Sequence, residues 1–236
     1  MMRKIIVMSL FFVTFLSQCE KKESIEGLWI VKNVSMGDQE VTPNGRWTRF
    51  NSDQTQESGN GWYRHSYGSW ELNPENSELS IVNTNGLKDS NAPFKVSING
   101  NEMMWERTEE GQPLRVKLER SKELPSILAD EGMGLWKLES AQGDGSFFEK
   151  SAGEDAIGIL FLKWDRRFMI GTQKGRVDGV YNVHGHKPEI ELIPYGEQYK
   201  RSFWNMEIRE NVLTLKLLNS DSTVTRTFKR IYEFPQ

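Results

Sequence analysis

One cysteine in 236 residues excludes any disulfide within the chain. Basic charge is not in excess either: 30 Lys and Arg stand against 33 Asp and Glu. A net charge of -3 gives no field of the kind that gathers nucleic acid. Beyond the N-terminal segment there is no apolar run near the roughly 20 residues that a spanning helix needs. A convincing helical apolar stripe of about 12 or more residues is missing too. Also missing are a Gly-x-Ser-x-Gly elbow, a phosphate-binding loop, a zincin helix and a calcium loop. These absences point away from an enzyme and away from any cofactor. What remains is a polar chain of mean hydropathy -0.60 with 11% aromatic residues, enough large apolar groups to fill a core.

The N-terminus has its own pattern. Arg3 and Lys4 precede an apolar stretch, Ile5 to Leu16, whose length suits a secretory signal and is short for crossing a bilayer. The lone Cys19 sits where this stretch meets the charged run Glu20 to Glu23. Leu16-Ser17-Gln18-Cys19 resembles the lipobox of bacterial lipoproteins, in the relaxed form of the Bacteroidetes, with Gln18 where a small residue is usual. The resemblance implies a signal peptide over 1–18, lipid (palmitate among it) on Cys19, and a tether over 19–24. It places the body in the cell envelope, held to the membrane by acyl chains and most simply on the outer membrane.

The body repeats itself. Gly27-Leu28-Trp29 recurs as Gly134-Leu135-Trp136, 107 residues later. Gly68, Trp70, Leu72, Leu79 and Ile81 match Gly179, Tyr181, Val183, Ile190 and Leu192 at a shift of 111. Phe94, Val96, Ile98, Met103 and Trp105 match Trp204, Met206, Ile208, Leu213 and Leu215 at 110. Near-constant offsets of this kind mark an internal duplication. The copies do not align over 37–60 and 144–170, where any divergence in function is expected. The division is 25–121 for the first copy, 122–132 for a linker with a helical turn after Pro125, and 133–236 for the second.

Within each copy the apolar period is two, the strand period. Leu114, Val116 and Leu118 alternate with Arg115, Lys117 and Glu119. Asn44-Gly45, Asn60-Gly61, Asn73-Pro74, Asn85-Gly86 and Asn99-Gly100 are turn signals. The expected fold is all-β: two tandem antiparallel up-and-down barrels of about eight strands, closure removing the exposed edges. Each copy opens on Gly-x-Trp and closes on a strand ending in Arg, pairing Trp29 with Arg120 and Trp136 with Arg230. In this it resembles the lipocalins, above all the short lipocalin-like domains of Bacteroidetes lipoproteins. The resemblance implies that each Arg packs across its Trp to close the barrel floor. Both copies are shorter than a full lipocalin, so side chains such as Trp70, Phe94, Met104, Trp105, Phe161, Trp164 and Phe168 are candidates to fill the interiors.

Lipocalin likeness implies a non-catalytic binding module for a small apolar or amphipathic ligand. Aromatic clusters at Trp62, Tyr63 and Tyr67, and at Tyr195, Tyr199 and Trp204, are candidate ligand or rim residues. The alternative is two solidly packed barrels working through their outer surface on an envelope protein or a glycan. His184 and His186 share a strand-like i, i+2 spacing, but their place opposite Asn73 and Glu75 in the repeat reads as a polar surface turn rather than a metal site.

Overall fold

The computed structural model describes residues 23–84, 89–143, 158–172, 175–219 and 223–235. The signal segment, Cys19, the turn Asn85-Gly86 and most of the unaligned stretch 144–170 lie outside these. Residues 23 onward fold as two closed eight-stranded antiparallel barrels. In the first, β1 (Gly27–Met36) is followed by β2 (Gln39–Glu40), β3 (Arg46–Phe50), β4 (Thr55–Asn60), β5 (Tyr63–Asn73) and β6 (Glu78–Asn83). Then come β7 (Phe94–Asn99), β8 (Glu102–Glu109) and β9 (Gln112–Ser121). Each barrel strand pairs with its sequence neighbour, β9 returns to β1, and β2 is a short flap on β1. A single helical turn, α1 (Leu128–Glu131), sits between the barrels.

The second barrel runs through β10 (Gly134–Gln142), β11 (Ile159–Leu162), β12 (Arg167–Thr172), β13 (Gly175–Val183) and β14 (Glu189–Pro194). It closes with β15 (Ser202–Arg209), β16 (Val212–Leu217) and β17 (Thr225–Ile231), which pairs with β10. Strand alternation sends one residue in two inward. Leu160, Phe168, Ile170, Tyr181, Leu192, Trp204, Met206, Leu215 and Phe228 form one buried cluster with Trp136. Of the side chains proposed as filling, Phe168 and Trp105 are buried, and Trp70 and Phe94 pack against the first core. Three are not filling at all. Met104 and Phe161 fall on outward positions, because Met103, Trp105, Leu160 and Leu162 take the inward ones. Trp164 stands 83% exposed in a turn.

The two closing seams are copies of each other. Arg120 lies over the Trp29 ring at 4.2 Å, and Arg230 over Trp136 at 4.1 Å. Arg120 also donates from Nη1 to Glu26 O (2.5 Å) and from Nη2 to Ser24 O (2.6 Å). Arg230 does the same to Met133 O (2.7 Å) and Glu131 O. Each buried indole donates backward, Trp29 to Ile25 O and Trp136 to Gly132 O, both at 2.7 Å. The glycine of Gly-x-Trp is required twice over. Gly27 and Gly134 have φ of 117° and 126°, and a Cβ on either would lie 2.8 Å from the Nη1 of its arginine.

Gly27→Ala should therefore strain the backbone and push Arg120 off its indole, costing about 2 kcal/mol. Arg120→Ala should cost a similar amount, about 2 kcal/mol, through the lost stack and two carbonyl bonds. Arg120→Lys should recover only part, because an ammonium cannot reach both carbonyls while lying over the ring. Urea unfolding followed by Trp fluorescence reads all three.

Candidate functional site

The registers align the stretches that the sequence leaves unmatched. Gly27 pairs with Phe50 and Gly134 with Leu162; Thr48 and Leu160 each pair with the opening Trp. Following the ladders, Gln56 occupies the position of Phe168, Ser58 that of Ile170, and Ser66 that of Val177. Four inward positions on β3, β4 and β5 are thus Thr, Gln, Ser and Ser in the first barrel and Leu, Phe, Ile and Val in the second. Among the described residues, the second interior is filled by a cluster of large buried apolar side chains. The first holds a cavity of about 390 Å³.

One wall of that cavity is polar. Thr48, Gln56, Ser58 and Ser66 line it, all buried, together with Arg46 and Asn83. Gln56 Nε2 donates to Thr48 Oγ1 (2.8 Å) and Ser66 Oγ to Asn83 Oδ1 (2.6 Å). The opposite wall is apolar: Val31, Leu79, Ile81, Phe94 and Trp105. Phe50, Trp70, Phe94 and Trp105 hold one another edge-on or tilted at 5.2 to 6.0 Å between centroids. Two buried lining atoms, Gln56 Oε1 and Trp105 Nε1, find no hydrogen-bond partner among the described residues. Their counterparts in the second barrel are Phe168 and Leu215, which need none. Orphaned polar atoms cost about 1–3 kcal/mol each when buried, so their presence here calls for a function.

Arg46 is the second anomaly. Its partners are Asn60 Oδ1 (3.4 Å), Ser58 Oγ (3.3 Å) and His65 Nε2 (2.5 Å), with no carboxylate among them. Burial lowers the guanidinium pKa, and burial together with the Arg46 charge lowers that of His65 and keeps it neutral. The cavity's other cation, Arg107, is already neutralised by Asp89 and Glu109 and lies over Phe94 at 3.9 Å. A half-buried cation whose described partners are all neutral leaves room for an acid.

The mouth is lateral. β6 and β7 share only two paired positions, Glu78↔Lys95 and Leu79↔Phe94, so Ser80 to Asn83 stand apart from Asp89 to Pro93 across the opening. The ladder ends at Phe94: Ala92 and Pro93 lie outside β7 and make no pairing with β6. The second barrel's equivalent of Pro93, Phe203, pairs with Glu191, and that seam has four paired positions.

None of the six aromatic rim candidates lines this cavity. Trp204 is core, Tyr199 packs against the same core, and Tyr67 and Tyr195 are exposed elsewhere. Trp62 and Tyr63 come together in a different place, a cleft between the barrels. The His184–His186 turn is exposed and also touches the first barrel: Asn44 N donates to Gly185 O (2.7 Å) and His186 Nδ1 lies 3.1 Å from Thr42 O. Reading the sequence misses Arg46, Gln56, Ser58, Ser66 and Trp105 as a group. A signal was present, since Thr55-Gln56-Glu57-Ser58-Gly59-Asn60 is polar on both faces, unusual for a barrel strand.

A folded-state pKa below the ordinary histidine value means that the unfolded chain binds the proton first. Stability should be full above the ordinary histidine range and fall as pH drops through it toward the lowered folded value. Urea midpoints between pH 7.5 and 5 should show that decline, and His65→Gln should flatten it.

No protein-family model, curated protein or solved structure matches the chain.

Proposed function

We infer that this chain is an envelope lipoprotein with a lipocalin-like, non-catalytic binding module in its first barrel, taking a small amphipathic molecule with an acidic end. The observation that carries this reading is the two-sided cavity. Its apolar wall of Leu79, Ile81, Phe94 and Trp105 faces a polar wall that ends in Arg46, a half-buried cation with no carboxylate partner among the described residues. A ligand carboxylate or sulfonate at Arg46 would neutralise that charge, and its apolar part would dehydrate the aromatic wall. Gln56 Oε1 and Trp105 Nε1 would serve as acceptor and donor on the way in. The second barrel, filled by its own side chains, is a structural companion. The lipobox-like segment ending at Cys19 supports the anchor, and only a short tether separates it from Gly27.

The second barrel supplies the test. Ser58→Ile with Ser66→Val brings close counterparts of its residues into the first and should fill the cavity. The wild type should enhance the fluorescence of the amphipathic sulfonate ANS in a saturable way, and the double variant should not, while gaining about 1 kcal/mol in stability. Arg46→Gln should weaken ANS binding yet leave the barrel folded. Saturable ANS binding of equal strength in the wild type and the double variant would refute the site. The anchor is checked separately: Cys19→Ala should move the protein from the membrane to the soluble fraction, and unchanged fractionation would count against it.

A further inference from the structure

The cleft between the barrels has a volume of about 660 Å³ and is built from four separate segments. Trp62 and Tyr63 come from the turn between β4 and β5, and Asp130 and Met133 from the linker. Trp164, Asp165 and Arg166 come from the turn between β11 and β12, Asn182 and Val183 from the end of β13. Three aromatic side chains stand open on it: Trp62 is 60% exposed, Tyr63 65% and Trp164 83%. Exposed indoles converging on one concavity are an unusual cost on a surface that is otherwise charged.

The duplication shows what the turn carrying Trp164 needs and what it does not. The turn Lys163-Trp164-Asp165-Arg166 has a counterpart, Asn51-Ser52-Asp53-Gln54, with the same backbone. Gln54 and Arg166 have φ of 65° and 63°. Asp53 Oδ1 accepts from Thr55 N at 3.0 Å, and Asp165 Oδ1 from Arg167 N at 3.2 Å. Gln54 O accepts from Trp70 N at 2.9 Å, and Arg166 O from Tyr181 N at 2.8 Å. The first barrel makes this turn with Ser52 and Gln54, so Trp164 and Arg166 are not needed to make it.

The opposite wall is held rigid. Asp130 Oδ2 accepts from Trp62 N (3.1 Å) and Ile127 N (3.2 Å), tying the Trp62 turn to the linker. A Cβ on Gly61 would lie 2.1 Å from that oxygen, so the turn sits directly on the linker. Arg166 lies 5.5 Å from the Tyr181 ring centroid, and its buried Nη1 has no acceptor among the described residues.

We propose that this cleft is a second binding site, separate from the barrel cavity, for a short neutral oligosaccharide. Pyranose rings present flat C–H faces that suit the exposed indoles and the phenol, together with hydroxyls that both donate and accept. Asp130, Asp165, Arg166 and Asn182 supply both kinds of partner on the same walls. With Asp165 paired to Arg167, the two carboxylates and two guanidiniums balance, which suits an uncharged ligand over a uronic acid or an acidic peptide. Proline-rich segments, the other common ligand of aromatic grooves, lack the N–H donors that the carboxylates would take up. The volume falls in the range of small-ligand sites, about 300–1,000 Å³.

The full chain, in a detergent without a sugar head group, is titrated with maltotetraose, cellotetraose and chitotetraose, with tetragalacturonate as an acidic control. Intrinsic Trp fluorescence should change saturably with at least one neutral tetrasaccharide in the millimolar range. Trp164→Ala and Trp62→Ala should each weaken that binding about tenfold, with Trp164→Phe in between. The cavity-filled Ser58→Ile, Ser66→Val variant should bind as the wild type does, which separates this site from the barrel reading. No saturable response to any neutral sugar, a preference for tetragalacturonate or for a proline-rich peptide, or full binding by both alanine variants would overturn the proposal.

Discussion

A guanidinium laid across a buried indole closes each barrel, and the rest of the architecture follows from that contact. An antiparallel meander has two free edges until its last strand reaches its first. Here the join is made where Arg120 and Arg230 cross Trp29 and Trp136 and tie down the carbonyls of the entering chain. The contact demands glycine two residues before each Trp, because both the backbone angle and the arginine occupy the space of a side chain. With the floor sealed in this way, the wall and the interior are free to differ between the copies.

They do differ, and the difference is chemical rather than topological. Exchanging Leu160, Phe168, Ile170 and Val177 for Thr48, Gln56, Ser58 and Ser66 removes volume and adds hydrogen-bonding groups without changing the ladder around them. β7 pairs with β6 at only two positions, so the emptied interior opens between them instead of being sealed. One barrel is optimised for packing. The other keeps Gln56 Oε1 and Trp105 Nε1 unpartnered along its cavity beside the half-buried Arg46, which a stability argument alone would remove.

The barrels are also docked on each other through a few specific contacts: Asp130 to the Trp62 turn, Asn44 to Gly185, and His186 to Thr42. The single turn of helix in the linker presents Asp130, buries Ala129 and packs Leu128 against the second core. These contacts give the cleft its walls and make the second barrel more than a spacer.

The strand period, the duplication, the turn positions and the Gly-x-Trp…Arg frame were all legible in the chain, because each depends on neighbours in sequence or on a repeat spacing. Of the cavity's polar wall, Arg46, Thr48, Gln56 and Ser58 lie in the first unaligned stretch, and Ser66 and Asn83 lie beyond it. The wall's meaning was not legible there: whether Gln56 and Ser58 face water or a cavity depends on the register of β3 against β1, set by strands far along the chain. Trp164 reads as filling by its size and stands in solvent because a tight turn holds it there. Trp62, Asp130 and Arg166 lie in segments far apart in sequence, and only the docking of two closed barrels brings them to one cleft. Local periodicity is enough to specify strands and closure. Which side chains share a cavity is a property of register and docking, and those are decided by packing the whole.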